Sequence, residues 1–164
     1  MDTGFSIEEV DSIKDNKGKC GLELDIDSSA HIIKNPHLSL HINYLYQKYS
    51  DIIEHVIIPM RYLDDVCYSR ERVGINERGG FWGGAKDLDT QGVVSCHQIY
   101  VLMYDLCKYN TPFTTIHFPS LALHSDYLWD KLKWLFDYYN VNKKDFKKIH
   151  KQTVNLDYIN FHTA

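Results

Sequence analysis

Two short apolar segments, each ending in a cation, constrain the fold of this chain more than any other feature of its sequence. Residues 31–34 (His-Ile-Ile-Lys) and 56–61 (Val-Ile-Ile-Pro-Met-Arg) have the length and composition of buried strands. Between them, apolar side chains recur at the spacing of one helix face: Leu38, Ile42, Leu45, Tyr46 and Tyr49. Because a helical connection of this kind joins parallel strands, the segment predicts a parallel strand–helix–strand unit.

Polar side chains follow both predicted strands. Lys34 ends the first strand and His37 follows it, whereas Arg61 ends the second strand and Ser69 lies eight residues further on. Ligands of open parallel sheets bind beyond the carboxyl ends of the strands, so these four residues are predicted to line one crevice. Arg61 would stand at the start of a helix, where the dipole disfavours a cation unless an anion lies beside it. A bound phosphate or a surface pair with Asp64 or Asp65 would each supply that anion.

The order of these motifs resembles the core of the sulfotransferase family, which uses 3′-phosphoadenosine 5′-phosphosulfate. The resemblance rests on Ile-Ile-Lys-Asn-Pro-His at 32–37, an amphipathic helix, Val-Ile-Ile-Pro-Met-Arg at 56–61 and the serine at 69. Residues 115–132 are also similar to the strand, loop and closing helix of the family's later half. The resemblance covers about residues 31–151. It implies an α/β fold with three layers, in which helices flank a mostly parallel sheet, as in P-loop NTPases.

The resemblance also implies site residues and a reaction. In that family an arginine and a serine at this spacing bind the 3′-phosphate of the cofactor, which implies Arg61 and Ser69 as cofactor-binding residues here. Lys34 and His37 are the candidate catalytic residues. Lys34 would neutralise charge on the sulfate or the leaving phosphate, and His37 has an intrinsic pKa suited to a general base. The implied reaction is transfer of a sulfuryl group from 3′-phosphoadenosine 5′-phosphosulfate to a hydroxyl or amine of a small-molecule or glycan acceptor.

The family's glycine-rich loop, which wraps the 5′-phosphosulfate, has no clear counterpart before Lys34. Residues 18–21 (Gly-Lys-Cys-Gly) come nearest, but they follow a polar run rather than a strand. We therefore expect residues 1–30 to be a lead-in and residues 31–164 to form the sulfotransferase-like domain, with the loop lost or lying upstream of an N-terminal truncation. Two alternatives remain: a non-catalytic nucleotide-binding or interaction protein with the same fold, and a P-loop-type kinase. The kinase would need a Walker loop and an arginine-rich lid, and neither is visible.

Composition limits the remaining classes of function. A length of 164 residues with 44% hydrophobic residues suits one globular domain. The net charge of −4 gives no attraction to nucleic acid, so no nucleic-acid partner is expected. No apolar run approaches the roughly 20 residues of a membrane span and no signal peptide is visible, so a cytoplasmic location is expected.

Cysteine and histidine residues show no metal-binding pattern. The four cysteines are irregularly spaced without a C-x-x-C pair, so we expect reduced thiols and neither a zinc site nor a disulfide framework: Cys20, Cys67, Cys96 and Cys107. Several histidines are weaker catalytic candidates than His37: His41, His97, His117 and His124. No metal cofactor is therefore expected.

Further elements follow from the same rules. Residues 76–89 form a glycine-rich loop that is either a mobile flap over a ligand or a loop anchored by its aromatic residues. Helices are predicted over 90–108 and 125–139, the second with Ser125 as its N-cap, and a strand over 113–118. A last basic helix over 143–152 is predicted to present its lysines to solvent.

Overall fold

The computed structural model describes residues 34–35, 38–48, 53–74, 80–156 and 159. Within these residues it contains seven helices and two strands. In chain order they are α1 (Leu38–Lys48), β1 (Val56–Met60), α2 (Leu63–Val73), α3 (Leu88–Lys108), β2 (Phe113–His117), α4 (Ser120–Leu123), α5 (Ser125–Lys131), α6 (Lys133–Tyr138) and α7 (Lys143–Thr153). The chain is therefore a mixed α/β protein, which confirms the predicted class.

The two strands pair in parallel, with Val56 opposite Phe113 and Met60 opposite His117. Helices α2 and α3 provide the connection between them. Parallel strands need such a crossover because a short turn cannot bring the chain back in the same direction. The other predicted strand, at 31–34, lies outside the described residues except for Lys34, which is not in a strand.

One face of the sheet supports the hydrophobic core. Val56 and Ile58 of β1 pack with Ile42 of α1 and with Leu102 and Leu106 of α3. Ile42 and Leu106 are completely shielded from solvent. Alternate residues of a strand face opposite sides, so β1 presents these even-numbered side chains to α1 and α3. The helical periodicity that predicts α1 therefore marks the side chains that form the core.

The opposite face of the sheet is covered near its amino end by α6. His55, next to β1, stacks against Trp134 with ring centroids 4.0 Å apart. Its Nε2 lies 2.8 Å from the hydroxyl of Thr114 in β2. This histidine is half-buried, and burial lowers its pKa from the usual value of 6.5.

We expect stability to fall when acidification protonates His55. The folded chain holds the pKa of His55 below 6.5, so between the two values the unfolded state binds more protons. The free energy of unfolding then rises with pH in that interval; this contribution is complete above about pH 6.5 and is lost as the pH falls toward the folded-state pKa. Urea unfolding from about pH 5 to 8 measures the slope. His55→Phe should flatten it, whereas His97→Asn, at an exposed histidine, should not; equal slopes in all three proteins would contradict the assignment.

Near the carboxyl end of the two-stranded sheet, one residue on each outer edge has no free amide to offer. In both strands, the backbone N–H and C=O groups of the even-numbered residues face the partner strand. Val56 N, for example, donates to Pro112 O, and Phe118 N donates to Met60 O. Pro59 therefore lies on the outer edge of β1 and has no N–H to offer. On the outer edge of β2, His117 N donates to the hydroxyl of Tyr127, 2.8 Å away.

Several element boundaries differ from the predicted ones by one or two residues. Helix α3 begins at Leu88, two residues before the predicted start, because Asp87 and Thr90 form a reciprocal capping box. Ser125 is the first residue of α5 rather than its N-cap, which is His124. Strand β2 ends at His117, one residue before the predicted end.

The single helix predicted over 125–139 is wrong, because the chain leaves helical geometry at Leu132 and forms α5 and α6 instead. Across this break, Trp129 of α5 and Phe136 of α6 stack with ring centroids 4.9 Å apart. Phe146 of α7 lies 4.7 Å from Phe136 and completes an aromatic cluster. Aromatic packing between helices thus overrides a periodicity that indicates one helix.

Two lysines of the basic helix α7 are paired rather than free. Lys143 and Lys147 lie 2.7 and 2.8 Å from the carboxylate of Asp126 on α5. Hydrogen bonds from Lys143, the larger contribution, and from Lys147 lower the pKa of Asp126 to about 2. The pairs fasten α7 to α5, beside the aromatic cluster.

None of the helices in the described residues combines the length and the apolar character that a membrane crossing requires.

Candidate functional site

Arg61 stands at the carboxyl ends of both strands. It follows β1 directly, and its guanidinium carbon lies 5.0 Å from the ring centroid of Phe118, which follows β2. Its Nε lies 3.7 Å from Oδ2 of Asp65, a distance that gives an ion pair rather than a hydrogen bond. The ring of Phe118 and the carboxylate of Asp65 together hold the arginine at this edge of the sheet.

Helix α2 begins two residues after Arg61. Asp64 and Asp65 occupy its first turn, where carboxylates suit the positive end of the dipole. The N-cap residue Tyr62 makes no side-chain capping bond, so the first amides of α2 are not closed off by that side chain. At the other end, Gly74 adopts a φ of 100°, a left-handed conformation that glycine tolerates best, and terminates the helix.

Ser69 lies on α2, on the face that also carries Asp65. At 1.5 Å per residue it is about 9 Å along the axis from the first residue of the helix. Its side chain is half-buried, whereas Asp65 is buried. An anion that contacts both Arg61 and Ser69 would therefore lie alongside the first two turns of α2 and would share Arg61 with Asp65.

Of the two predicted catalytic residues, the structure describes Lys34 alone. Lys34 is exposed and precedes α1, and none of the described contacts joins it to Arg61 or Ser69. His37 lies outside the described residues. The structure thus places Arg61 just before α2 and Ser69 within that helix, while the roles of Lys34 and His37 stay predictions.

A second group at the same edge surrounds His117. Its Nδ1 lies 3.1 Å from the hydroxyl of Ser120, and its ring meets Tyr62 edge to face at 5.2 Å. These contacts fix the imidazole at the end of β2, next to the residue that follows Arg61. His117 is one of the weaker catalytic candidates in the sequence. Like Arg61, however, it is a polar residue at the carboxyl end of a predicted strand, which is where ligands of such sheets bind.

The glycine-rich loop is anchored in its described part, residues 80–87. Nη1 of Arg70 donates to Gly80 O at 2.8 Å, and its guanidinium carbon lies 4.5 Å from the ring centroid of Trp82. Trp82 N donates to Oε1 of Gln91 at 2.8 Å, and Nε2 of Gln91 donates to Ser95 at 2.8 Å. Burial lowers the pKa of Arg70 from its ordinary value. Of the two interpretations of this loop, the contacts favour the anchored one.

We expect Gln91→Leu to destabilise the fold by about 1–3 kcal/mol, because it leaves the amide of Trp82 without its acceptor. Gln91 is completely buried, and leucine keeps most of its volume. Urea unfolding followed by tryptophan fluorescence measures the loss. Gln98→Leu, on the same helix but half-buried, is the matched control. Equal stability of the two variants would show that the bond to the loop contributes nothing.

Among the described side chains, no group of three or more His, Cys, Asp or Glu residues is arranged to hold a metal ion. No family model matches the chain, and neither a curated protein nor a solved structure shows significant similarity to it.

Proposed function

We propose that this chain is a sulfotransferase-like protein that binds 3′-phosphoadenosine 5′-phosphosulfate and transfers its sulfuryl group to a hydroxyl or amine of a small-molecule or glycan acceptor. The observation that carries the proposal is the position of Arg61, directly after one parallel strand and against Phe118, which follows the other. This is the edge at which open α/β sheets bind ligands.

The chemistry around Arg61 supports a phosphate as the ligand. A guanidinium offers a planar set of donors that matches phosphate oxygens and forms charge-assisted hydrogen bonds. Asp65, 3.7 Å from Nε of Arg61, already supplies one anion at the start of α2, so a phosphate would be a second anion that shares this arginine. The amino end of α2 adds its positive dipole, and Ser69 adds a hydroxyl. We assign Arg61 and Ser69 to the 3′-phosphate.

The packing of helices supports the finer fold proposal. Helices α1 and α3 cover one face of the sheet, and Trp134 of α6 contacts His55 beside the other. We propose that β1 and β2 belong to a three-layer, mostly parallel sheet of the sulfotransferase type. The strand predicted over 31–34 would be its next member.

The proposed reaction assigns separate roles to the two ends of the donor. Sulfuryl transfer requires in-line positioning, cations around the spreading charge and a base for the acceptor proton. Arg61 would hold the nucleotide at its 3′-phosphate, away from the reacting sulfur. Lys34 would neutralise charge on the transferring or leaving group, and His37 would take the proton.

Calorimetric titration of the full chain with adenosine 3′,5′-bisphosphate, adenosine 5′-monophosphate and ATP tests the proposal. One charge-assisted phosphate contact contributes about 1.5–3 kcal/mol, so the bisphosphate should bind at least about tenfold more tightly than the monophosphate. Preference for ATP would favour the kinase alternative. No discrimination between the bisphosphate and the monophosphate would contradict the assignment of Arg61 and Ser69.

A second measurement separates an enzyme from a binding protein with the same fold. Release of adenosine 3′,5′-bisphosphate from the sulfated donor is followed in the presence of sugar, phenol and amine acceptors. Acceptor-dependent release supports transfer. Tight binding of the bisphosphate without release from any acceptor would support the non-catalytic alternative.

A further inference from the structure

A groove separates α2 from α3, and two cysteines line it. The cavity measures about 530 Å³. Apolar side chains from both helices form most of its wall: Leu63, Tyr68, Leu88 and Val93. Asp64, Asp89 and Gly92 also line it, and Cys67 of α2 and Cys96 of α3 each contribute a thiol to the same groove.

Gly92 marks the point where Cys67 meets α3. A Cβ atom placed on Gly92 would lie 3.8 Å from Sγ of Cys67, an ordinary van der Waals contact, so the Cys67 thiol reaches the face of α3 that carries Gly92. Cys96 is one helical turn beyond Gly92 on the same face of α3, where equivalent Cβ atoms are about 5–6 Å apart. A disulfide requires Cβ atoms about 3.5–4.5 Å apart. Cys67 therefore faces the part of α3 that carries Cys96 one turn further on, and a disulfide would form when the two Cβ atoms come within this range.

The environments of the two thiols differ. Cys67 is buried and Cys96 is exposed. Burial raises the pKa of the Cys67 thiol, and the neighbouring Asp64 and Cys96 raise it further, against the opposing charge of Arg70. An oxidant from solvent therefore reaches Cys96 first. Cys107 is also exposed but lies on α3 outside the groove, which makes it a control within the same chain.

We propose that Cys67 and Cys96 are a reversible modification site, a dithiol that glutathione disulfide oxidises to an intramolecular disulfide across the groove. In the first step the thiolate of Cys96 attacks one sulfur of glutathione disulfide, and one glutathione thiolate leaves. In the second step the thiolate of Cys67 attacks the Cys96 sulfur of this mixed disulfide and releases the other glutathione. The protein loses two protons and two electrons, and glutathione disulfide is reduced to two glutathione molecules.

The disulfide would join two helices that have different roles. Helix α2 follows Arg61 and carries Ser69, whereas α3 is fixed in the core through Leu102 and Leu106. Closing the disulfide would pin the first helix against the second. This inference rests on the geometry of the groove and stands independently of the proposed nucleotide.

The test incubates the full chain with glutathione disulfide, alkylates the remaining thiols and measures intact and peptide masses. The wild type should lose about 2 Da before alkylation, for two hydrogens. It should also yield a peptide from 62–70 linked to one from 87–108. That second peptide contains both Cys96 and Cys107, so fragmentation must assign the link to Cys96, with Cys107 alkylated. Cys107→Ser should behave as the wild type.

Variants separate the two steps. Cys67→Ser and Cys67→Ala should stop at the glutathione adduct on Cys96, and Cys96→Ser should leave Cys67 reduced. Oxidised wild type should unfold at a higher urea concentration than reduced wild type, and a thiol reductant should reverse the change. Glutathione adducts at Cys96 that are as abundant in wild type as in Cys67→Ser would overturn the proposal, as would a disulfide that uses Cys20 or Cys107 instead.

Discussion

Replacement of Arg61 by alanine is expected to weaken the binding of adenosine 3′,5′-bisphosphate by about one to two orders of magnitude. Arg61 stands at the carboxyl ends of two parallel strands, and a charge-assisted contact of the kind it offers contributes about 1.5–3 kcal/mol. At about 1.4 kcal/mol per factor of ten, the affinity should fall by roughly tenfold to more than a hundredfold. Calorimetric titration of both proteins at one salt concentration measures the difference.

The matched control is Arg72→Ala. Arg72 is an exposed arginine in the last turn of α2, the helix that follows Arg61, and lies away from the sheet edge, so its loss should leave the affinity unchanged. Because Arg61 also pairs with the buried Asp65, urea unfolding must confirm that Arg61→Ala is folded at the titration temperature. Arg61→Lys keeps the charge but loses the planar donor set, so its affinity should fall between the two. If Arg61→Ala and wild type bind equally well, Arg61 serves only as the ion-pair partner of Asp65.

Leu106→Ala should lower the free energy of unfolding by about 2–5 kcal/mol, the usual range when a buried leucine is truncated and leaves a cavity. Leu106 is completely shielded and packs with Ile42, Val56, Ile58 and Leu102 at the junction of α1, β1 and α3. Because small domains are stable by only about 5–15 kcal/mol, a substantial part of the stability depends on this side chain. Equilibrium urea unfolding measures the change.

Val93→Ala provides the comparison on the same helix. Val93 is 70% exposed, so its truncation should alter stability by no more than about 0.5 kcal/mol. Similar losses in the two variants would mean that α3 does not pack on the sheet through the face that carries Leu106. The side chain of Met103 is only partly buried beside this cluster, and Met103→Ala should give an intermediate loss.

Periodicity alone predicts much of the fold. Leu38, Ile42 and Leu45 mark the buried stripe of α1, and the run from Val56 to Met60 marks β1, because each pattern matches the repeat of one kind of backbone. The position of Arg61 at the end of a strand follows from the same pattern. Asp65, which pairs with Arg61, is one of the two acidic partners that the sequence predicts for this arginine.

Features that depend on long-range packing were not visible in the sequence. The break at Leu132 follows from aromatic stacking between α5, α6 and α7, which no local pattern encodes. In the sequence, nothing distinguishes Gln91 from other polar residues of a helix. Its role depends on the amide of Trp82, nine positions earlier in the chain, which donates to it. The contact of His117 with Tyr62 likewise requires that β2 lie beside β1.

The treatment of the outer sheet edges has a consequence for how molecules of this protein behave toward one another. A strand with a free row of amides can pair with a strand from a second molecule, and such edge-to-edge pairing begins aggregation. Here Pro59 supplies no amide on one outer edge, and the amide of His117 on the other is already bound to Tyr127. A strand from a second molecule would therefore lack one hydrogen bond near the carboxyl end of whichever outer edge it joined. The end of the sheet at which we propose a ligand can therefore stay open to small molecules while it discourages pairing with other chains.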